Sequence, residues 1–508
     1  MATPTVLLVL MVVLTALLAA MSYTVLGAFK GSAVERRAYQ AFLLAESALD
    51  AFPSHVLDSG CATPPPEEYT LPIRNGDTLK ASYEYSGLVT RQSDNQKVLP
   101  KLGTITVRTV ASYAGATARV ERQYNVSCGI VGAIPAALTS RPSIEVSGNA
   151  RLEGEDFDSS TGLIPRNFPQ DGVTQVSLPS GVSSLTVPLS GTFTLNVADA
   201  SLIPDGGYIQ IPTGGTPKTY RVMGKSGNTL TLDPIFTPTS TDVILSQAPV
   251  GVVEYGIQSL SGNTLTLADT RGLVPGQAIR VKDKLGTISS IQGNEITVTW
   301  SSGAPDWNNQ TDKGTPLVAQ VAGAASHLSI QTSGSNAQVV NGSFPNSDLV
   351  PGEANELFQR VFGVPKEVFQ RLYPPSPSTS FTGTLSGWEL KVISNTSTQN
   401  FTLCGQGILV VFGNFKVNNS DSCNAGFQGL LYVAGDYEQR GNAVITGAVV
   451  AEGNADINCE SQECISDIRG TGQGGGKITY DPWVLYRLKM ASEGKLVLAP
   501  VPGSWRRL

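Results

Sequence analysis

The stretch Arg440-Gly-Asn-Ala-Val-Ile-Thr-Gly-Ala-Val-Val-Ala-Glu-Gly453 decides the expected fold of this chain. Its Gly-Asn-Ala-x-(Leu or Ile)-x-Gly unit also occurs in Ser147-Gly-Asn-Ala-Arg-Leu-Glu-Gly154. Glycine at regular intervals around short apolar strands is typical of the tight corners of a parallel β-solenoid, in which each rung covers the next. The sequence therefore predicts one solenoid, built from residues 131–160 and 326–480.

An insertion, residues 161–325, separates the two parts of the predicted solenoid and contains a duplication. Residues 195–211 (LNVADASLIPDGGYIQI) parallel residues 265–281 (LTLADTRGLVPGQAIRV), and each copy precedes a predicted strand pair with a Gly-Asn turn. We expect two tandem, barrel-like β-modules that project from the solenoid. After them, the helical spacing of apolar residues in 353–372 predicts a short helical cap over a solenoid face.

A run of uncharged residues, Val6 to Leu26, lies near the start of the chain. It is long enough to cross a bilayer, which takes about 20 apolar residues. An amphipathic stretch follows it up to Pro53, with an apolar stripe typical of a helix packed against a neighbour. A signal peptide would end in a cleavage site followed by unrelated sequence, so we expect residues 1–52 to be retained as one helix.

The residues after the predicted helix indicate a small β-domain, residues 53–130. Alternating polar and apolar residues in 80–85, 103–110 and 118–126 predict strands with one buried face that pack on the helix. Residues 481–508 are expected to form a C-terminal closing segment. Abundant Gly (53) and Pro (31) with few charged residues (15%) agree with a mainly β chain.

The segment Val34-Glu-Arg-Arg-Ala-Tyr-Gln-Ala-Phe-Leu-Leu-Ala-Glu-Ser-Ala-Leu49 resembles the N-terminal helix of type IV pilins, and in particular that of the PilX-like minor pilins. With the solenoid-like units and the C-terminal Pro502-Gly-Ser-Trp-Arg-Arg507, the chain is similar to the large competence-associated minor pilins. Major pilins usually carry a Glu at the fifth position of the apolar run, and this chain does not. Either a basic leader ending in Gly precedes Met1, or the helix is atypical of pilins.

This resemblance implies partners and a location. The helix would assemble with other pilins through the stripe Val34, Ala38, Ala41, Ala45 and Ala48. The chain would lie in the inner membrane before assembly and then at the cell surface, at the pilus tip, where it would bind extracellular double-stranded DNA for natural transformation. The alternative is a surface adhesin, or a polysaccharide-binding or polysaccharide-degrading solenoid, held by a signal anchor.

The net charge of −6 gives no general attraction to nucleic acid, so a DNA receptor needs a local basic patch. The two modules supply candidate residues: Lys218, Arg221 and Lys225 in the first, and Arg271, Arg280, Lys282 and Lys284 in the second. We predict that they form one phosphate-contacting surface without sequence preference. A solvated surface that only keeps the protein soluble is the alternative.

Most of the chain is expected to lie outside the cytoplasm, where disulfides form and persist. Its six cysteines therefore favour disulfides over metal ligation. Proximity in sequence favours the pairs Cys61–Cys128, Cys404–Cys423 and Cys459–Cys464. Zinc bound by the last four cysteines is the alternative, but the chain has only two His and no tight pair of Cys-x-x-Cys knuckles. We predict no metal and no cofactor.

No enzyme signature is present. Residues 470–477 (GTGQGGGK) match a phosphate-binding loop only in part, because Ile478 replaces the Ser or Thr that would hold magnesium. With so few His, the sequence offers no Ser-His-Asp arrangement. A carboxylate-pair glycosidase stays open, since its acids need not be neighbours in sequence. We interpret the following acids as a solvated turn rather than a calcium site: Glu153, Glu155, Asp156 and Asp158.

Overall fold

The computed structural model describes most of the chain from Thr3 to Leu508. The residues outside the description are 1–2, 60–62, 73–77, 91–95, 156–162, 165–172, 335, 396–399, 420–425, 460–475 and 493–495.

A single long helix, α1 (Thr3–Ser59), opens the fold. It contains a stretch that is long and apolar enough to cross a membrane, and no residue in the most apolar window of that stretch is buried within the protein. In this half of α1, the hydroxyls of Thr15 and Ser22 donate to the carbonyl oxygens of Met11 and Leu18, four residues earlier. Hydroxyl groups that bond to their own helix in this way need no partner from outside it.

The helix continues through Pro53 to Ser59, so the predicted end at residue 52 is wrong. A proline inside a helix removes one backbone hydrogen bond and usually breaks the helix. Here Phe52 and Val56, on either side of Pro53, are buried against a β-sheet. Tertiary packing therefore keeps the helix intact where its local sequence would end it.

The sheet that receives α1 is antiparallel, with the order β1-β2-β5-β6, while β3 and β4 form a separate pair. Ala41, Ala45 and Ala48 lie fully buried between helix and sheet, and the Phe52 ring centroid lies 5.5 Å from those of Tyr83 and Tyr124. The strands are β1 (Glu68–Pro72), β2 (Thr78–Ser86), β3 (Val89–Thr90), β4 (Lys97–Val98), β5 (Leu102–Tyr113) and β6 (Ala116–Cys128). The three predicted strands of this domain are confirmed as β2, β5 and β6.

Three short strands follow the first sheet before the chain enters the insertion: β7 (Ala136–Ser140), β8 (Ser143–Gly148) and β9 (Arg151–Glu153). Their partners lie far away in sequence and are all parallel.

The first module of the insertion is an antiparallel sheet around its own apolar core, which includes Leu195, Ile209, Val222 and Leu230. Its strands are β10 (Leu163–Ile164), β11 (Thr174–Gln175), β12 (Ser184–Thr186), β13 (Phe193–Asn196), β14 (Tyr208–Thr213), β15 (Thr216–Ser226), β16 (Thr229–Pro234), β17 (Val243–Leu245) and β18 (Pro249–Val253).

The second module repeats the central topology of the first. Its strands are β19 (Ile257–Ser261), β20 (Thr264–Leu267), β21 (Ala278–Val281), β22 (Lys284–Gln292), β23 (Glu295–Trp300) and β24 (Leu317–Ala319). Four strands lie in the order β14-β15-β16-β13 in the first module and β21-β22-β23-β20 in the second. Both predicted hairpins, β15–β16 and β22–β23, are present. The duplication read from the sequence therefore corresponds to two copies of one strand order.

The remaining elements, apart from the C-terminal segment, form two parallel sheets and a helical cap. They are β25 (Ala322–Ser326), β26 (Ser329–Ser333), β27 (Gln338–Val340), β28 (Ser343–Phe344), α2 (Ala354–Phe362), α3 (Lys366–Leu372), β29 (Ser376–Pro377), β30 (Thr384–Ser394), β31 (Asn400–Phe401), β32 (Cys404–Phe412), β33 (Phe415–Asn419), β34 (Phe427–Val433), β35 (Tyr437–Gly441), β36 (Val444–Ala451), β37 (Ala455–Cys459) and β38 (Lys477–Tyr480).

Successive strands from β30 to β38 alternate between an 11-stranded and a 6-stranded sheet. Neighbouring strands are in register, so that Phe415 pairs with Tyr437 and Tyr437 with Ala455. Gly407, Gly429 and Gly447 form a similar row. A Cβ atom on Gly429 would overlap the carbonyl oxygen of Gly407. Glycine is therefore required there by the close approach of adjacent strands.

Both Gly-Asn-Ala units lie in this parallel structure. Leu152 of the first unit pairs with Ile478, which pairs with Ile445 of the second. The related segment Gly334–Gly342 around Asn336 was missed because, at nine residues, it is two longer than the seven-residue unit. Its side-chain amide donates to Asn149 Oδ1 at 2.7 Å. The strands on either side of the insertion thus interleave, with β9 between β27 and β38.

The predicted helical segment is confirmed as α2 and α3, which pack on the larger parallel sheet. The Phe358 ring lies 5.0 Å from that of Tyr432. Lys366 Nζ lies 2.5 Å from Glu452 Oε2, and the Tyr432 hydroxyl donates to Glu452 Oε1 at 2.8 Å. The cap is therefore fixed by aromatic contacts and by a half-buried ion pair.

The C-terminal segment returns to the first sheet. It consists of α4 (Pro482–Ser492), β39 (Leu496–Pro500) and β40 (Arg506–Arg507). Both strands pair with β6, and the Trp505 ring meets Phe42 of α1 edge to face at 6.3 Å. The last residues of the chain thus complete the domain that holds the long helix.

Candidate functional site

The predicted assembly stripe on α1 is mostly the internal face of the helix. Ala41, Ala45 and Ala48 have no exposed surface and pack against the protein's own sheet, whereas Val34 is 60% exposed and Ala38 is half-buried. These three alanines are therefore unable to contact another subunit, and assigning them to pilus assembly is wrong. Their small side chains serve instead to let the sheet approach the helix closely.

The opposite face of α1 carries apolar residues that the sequence reasoning missed. Tyr39 is 61% exposed and Leu43 is 40% exposed. They lie four residues apart and therefore share one helical face. Large apolar side chains on the face away from the alanine stripe were the available signal.

In the first module, the three predicted basic residues have different surroundings. Lys218 Nζ lies 3.4 Å from Asp242 Oδ1 and 4.6 Å from the centre of the Phe236 ring. Lys225 is exposed and donates to the carbonyl oxygen of Ile203 at 2.9 Å. Arg221 is half-buried, and its Nε has no hydrogen-bond partner among the described residues.

In the second module, two of the predicted lysines are already paired with acids. Lys282 Nζ lies 2.7 Å from Asp312 Oδ2, and Lys284 Nζ lies 3.2 Å from Asp283 Oδ2. Arg280 is half-buried on β21. Local carboxylates thus offset part of the positive charge that the sequence placed on this surface.

Arg271 is buried, so placing it on a DNA-contacting surface is wrong. Its side chain is 1% exposed and forms a two-point contact with the Asp269 carboxylate, including a 2.7 Å ion pair, while its third nitrogen donates to the Cys128 carbonyl oxygen at 2.6 Å. Burying an arginine is costly unless it is paired and fully hydrogen-bonded. These bonds meet that need and join the second module to the end of β6.

A second buried cation completes this junction. Lys489 of α4 donates to Glu254 Oε1 at 2.6 Å and to the Arg271 carbonyl oxygen at 2.9 Å. Burial alone would raise the pKa of the Asp269 carboxyl, but the charges of Arg271 and Lys101 outweigh it and hold that pKa well below its ordinary value. The Asp269 carboxylate therefore stays ionised beside Arg271 at neutral pH.

The cysteine pairings stay predictions. Cys128 and Cys404 are disulfide-bonded, and Cys128 ends β6 in a buried position. Cys61, Cys423 and Cys464 lie outside the described residues, as does the side chain of Cys459.

Among the described residues, no group of His, Cys, Asp and Glu is arranged to hold a metal ion. Glu153 instead pairs with Lys477 at 2.9 Å and Arg151 at 3.5 Å, and Glu155 bridges to Val321 through its backbone. Asp156, Asp158 and most of the glycine-rich loop 470–477 lie outside the described residues.

Comparison with known proteins gave a single structural match. No protein-family model matches the chain, and no curated protein matches it. The competence-associated pilin ComZ from Thermus thermophilus aligns with 12% identity over 93% of this chain and 98% of that chain, at a TM-score of 0.18. A TM-score this low does not indicate a shared arrangement, so the proposals below depend on contacts within this chain.

Proposed function

We propose that this chain is a large minor pilin of a type IV pilus. The observation that carries the proposal is α1 itself. No residue of its most apolar described window is buried, and its C-terminal half packs on an antiparallel sheet. Such a helix is held by lipid before assembly and by neighbouring helices afterwards, because a large exposed apolar surface needs a partner.

The outward face of α1 is proposed to contact the neighbouring subunits. Tyr39 and Leu43 are large, apolar and exposed there, in contrast to the buried alanines. An arginine at position 43 would bring a charge into the subunit interface and leave the internal packing of the domain unchanged. An arginine at position 45 would instead disrupt the fold, since Ala45 has no free space around it.

The experiment compares Leu43→Arg with Ala45→Arg in the native host. We expect Leu43→Arg to accumulate in the membrane as a folded, protease-resistant protein and to be lost from the sheared pilus fraction. Ala45→Arg should lower the amount of folded protein in both fractions, and Glu46→Gln serves as the neutral control. Normal recovery of Leu43→Arg in pili would contradict the assembly proposal.

The domains beyond the helix are proposed to have a binding role rather than a catalytic one. The alternation of strands between two in-register parallel sheets supports a solenoid, which would carry the two modules away from the filament. Roughly 450 residues outside the helix would crowd a packed filament wall, which favours the pilus tip. The helix, the solenoid and the modules then act as anchor, stalk and receptor.

Extracellular double-stranded DNA is the proposed ligand of the modules. With Arg271 excluded, the supporting residues are Lys218, Arg221, Lys225, Arg280, Lys282 and Lys284, none of which is fully buried. Contacts to phosphate give affinity that is independent of sequence and falls steeply with salt.

A binding titration at several salt concentrations tests the DNA proposal with the detergent-solubilised chain. Changing Arg280, Lys282 and Lys284 to Glu should weaken duplex binding and lower the salt slope by about three. Changing Lys97, Arg371 and Lys391 to Glu, away from the modules, is the matched control. If the intact chain does not bind duplex DNA at low salt, the adhesin alternative replaces the DNA receptor.

A further inference from the structure

The two modules line a cleft that shares only Lys218 with the DNA surface proposed above. Its volume is about 300 Å³, at the lower end for small-ligand sites. Lys218 and Thr219 of β15 form one wall, and Thr311 and Lys313, in the loop before β24, form the other. Clefts between domains are common ligand sites because two surfaces can contact one molecule.

The charge in this cleft is positive. Two lysines line it, and none of the residues that line it is acidic. Lys313 forms no ion pair with any residue that the structure describes. Lys218 faces Asp242 at 3.4 Å, but the other oxygen of that carboxylate already accepts from the backbone N–H and the hydroxyl of Thr239 at 2.7 and 2.9 Å. Asp242 thus offsets part of the Lys218 charge, and Lys313 supplies the positive charge of the cleft that has no ion pair among the described residues.

The loop that carries Lys313 is rigidly held. Asp312 accepts from the backbone N–H of Asn308 at 2.6 Å and pairs with Lys282 at 2.7 Å. The backbone N–H of Gly314 donates to the Ile257 carbonyl oxygen at 2.8 Å. Gly314 packs so closely on Thr219 and the Tyr208 ring that a Cβ atom there would clash with both. The second wall of the cleft is therefore positioned before any ligand arrives, which reduces the entropy cost of binding.

The remaining lining combines polar and apolar groups. Thr219, Thr311 and the Gln210 amide supply hydrogen-bonding groups, while Phe236 supplies an aromatic ring and Pro316 an apolar wall. A sugar ring has this mixed character, with hydroxyls at its edge and C–H groups on its faces. A carboxylate on the ring would match the two lysines.

We propose that the cleft binds one carboxylated sugar unit of an acidic polysaccharide. The ring lies against Phe236, its hydroxyls bond to the threonine hydroxyls, and its carboxylate lies between Lys218 and Lys313. A DNA duplex presents its phosphates on a convex surface and keeps its bases stacked, so it fills such a cleft poorly. This site is independent of helix assembly and goes beyond the proposed DNA surface.

Titration of the full chain in detergent with an oligomer of galacturonic acid tests the proposal. Its methyl ester is the uncharged matched probe, and a short DNA duplex is the competitor. We expect the acid to bind at least about tenfold more tightly than the ester, equivalent to about 1.4 kcal/mol. Lys313→Gln should weaken acid binding by a similar factor and Lys313→Arg should retain it. Lys97→Gln, an exposed lysine away from the modules, should leave the affinity within about twofold of the native value.

Three results would each overturn the proposal: no binding of the acid, equal binding of acid and ester, or equal weakening by Lys313→Gln and Lys97→Gln. In another outcome, duplex DNA displaces the acid from the native chain but not from Lys313→Gln. That result would assign the cleft to phosphate. Recovery of Lys313→Gln in the pilus fraction is measured in parallel. If the pilin proposal fails, the protein is missing from the pilus fraction and the titrations are unchanged. If the cleft proposal fails, only the titrations give an unexpected result.

Discussion

The hydroxyl of Tyr124 donates a hydrogen bond, at 3.0 Å, to the carbonyl oxygen of Leu49. This oxygen is the one that the residue four positions later, Pro53, cannot satisfy, because proline has no backbone N–H. A side chain of the sheet thus replaces the hydrogen bond that the helix lacks. The contact explains how α1 passes through Pro53 without a break.

We predict that Tyr124→Phe destabilises the folded domain by about 1–3 kcal/mol, the cost of leaving a buried carbonyl oxygen unsatisfied. In a Pro53→Ala background the restored N–H can bond to Leu49, so the same change should cost clearly less. Denaturant unfolding of the four proteins in detergent gives the coupling energy. Additive effects of the two changes would show that Tyr124 acts only through packing.

Arg271 provides the second prediction. Replacing it with Met removes one partner of a buried ion pair and leaves Asp269 charged and unpaired, which typically costs about 3–5 kcal/mol. Arg280→Met, on the half-buried strand β21 of the same module, should cost under about 1 kcal/mol. Thermal unfolding of both variants checks this. Similar small losses would mean that the junction does not support the fold.

The low pKa of Asp269 predicts a pH dependence of stability. A carboxyl whose pKa is lowered by folding contributes stability above its unfolded pKa of about 3.9, and this contribution is lost as the pH falls towards the folded value. The difference in unfolding free energy between the native chain and Asp269→Asn should therefore be constant near neutral pH and shrink below about pH 4. A difference that does not change between pH 7 and pH 3 would argue against the ionised junction.

Gly429 tests the close stacking of the parallel strands. Gly429→Ala would push a methyl group against the Gly407 carbonyl oxygen, and we expect a loss of at least about 2 kcal/mol because backbone on both sides limits any shift. Gly227→Ala is the control: its left-handed backbone has open space around it, so only about 1 kcal/mol of conformational cost applies. Equal costs for the two variants would contradict close stacking.

Peptide mapping without reduction tests the cysteine pairing. We expect to recover Cys61–Cys128, Cys404–Cys423 and Cys459–Cys464, each stabilising the fold by a few kcal/mol through restriction of the unfolded chain. Free thiols, or a tightly bound zinc, would refute the pairing.

The sequence by itself determined the features that repeat. The alternating strands of the first sheet, both module hairpins and the helices of the cap all lie close to their predicted positions, because local periodicity specifies them. The Gly-Asn-Ala units also identified strands of one parallel structure across an insertion of some 160 residues. The spacing of apolar residues and the residue types in turns are local properties, so tertiary contacts do not change them.

Only the tertiary structure decided which face of each element is internal. The alanine stripe of α1 was predicted to contact other subunits, yet it packs on the protein's own sheet. Close packing within the chain and close packing between subunits both require small residues, so the sequence does not distinguish them. Arg271 differs from Arg280 in no way that sequence reveals, yet one is buried beside Asp269 and the other lies on a strand surface. Whether a residue is buried depends on which distant segment packs against it. A local sequence pattern carries no information about that segment.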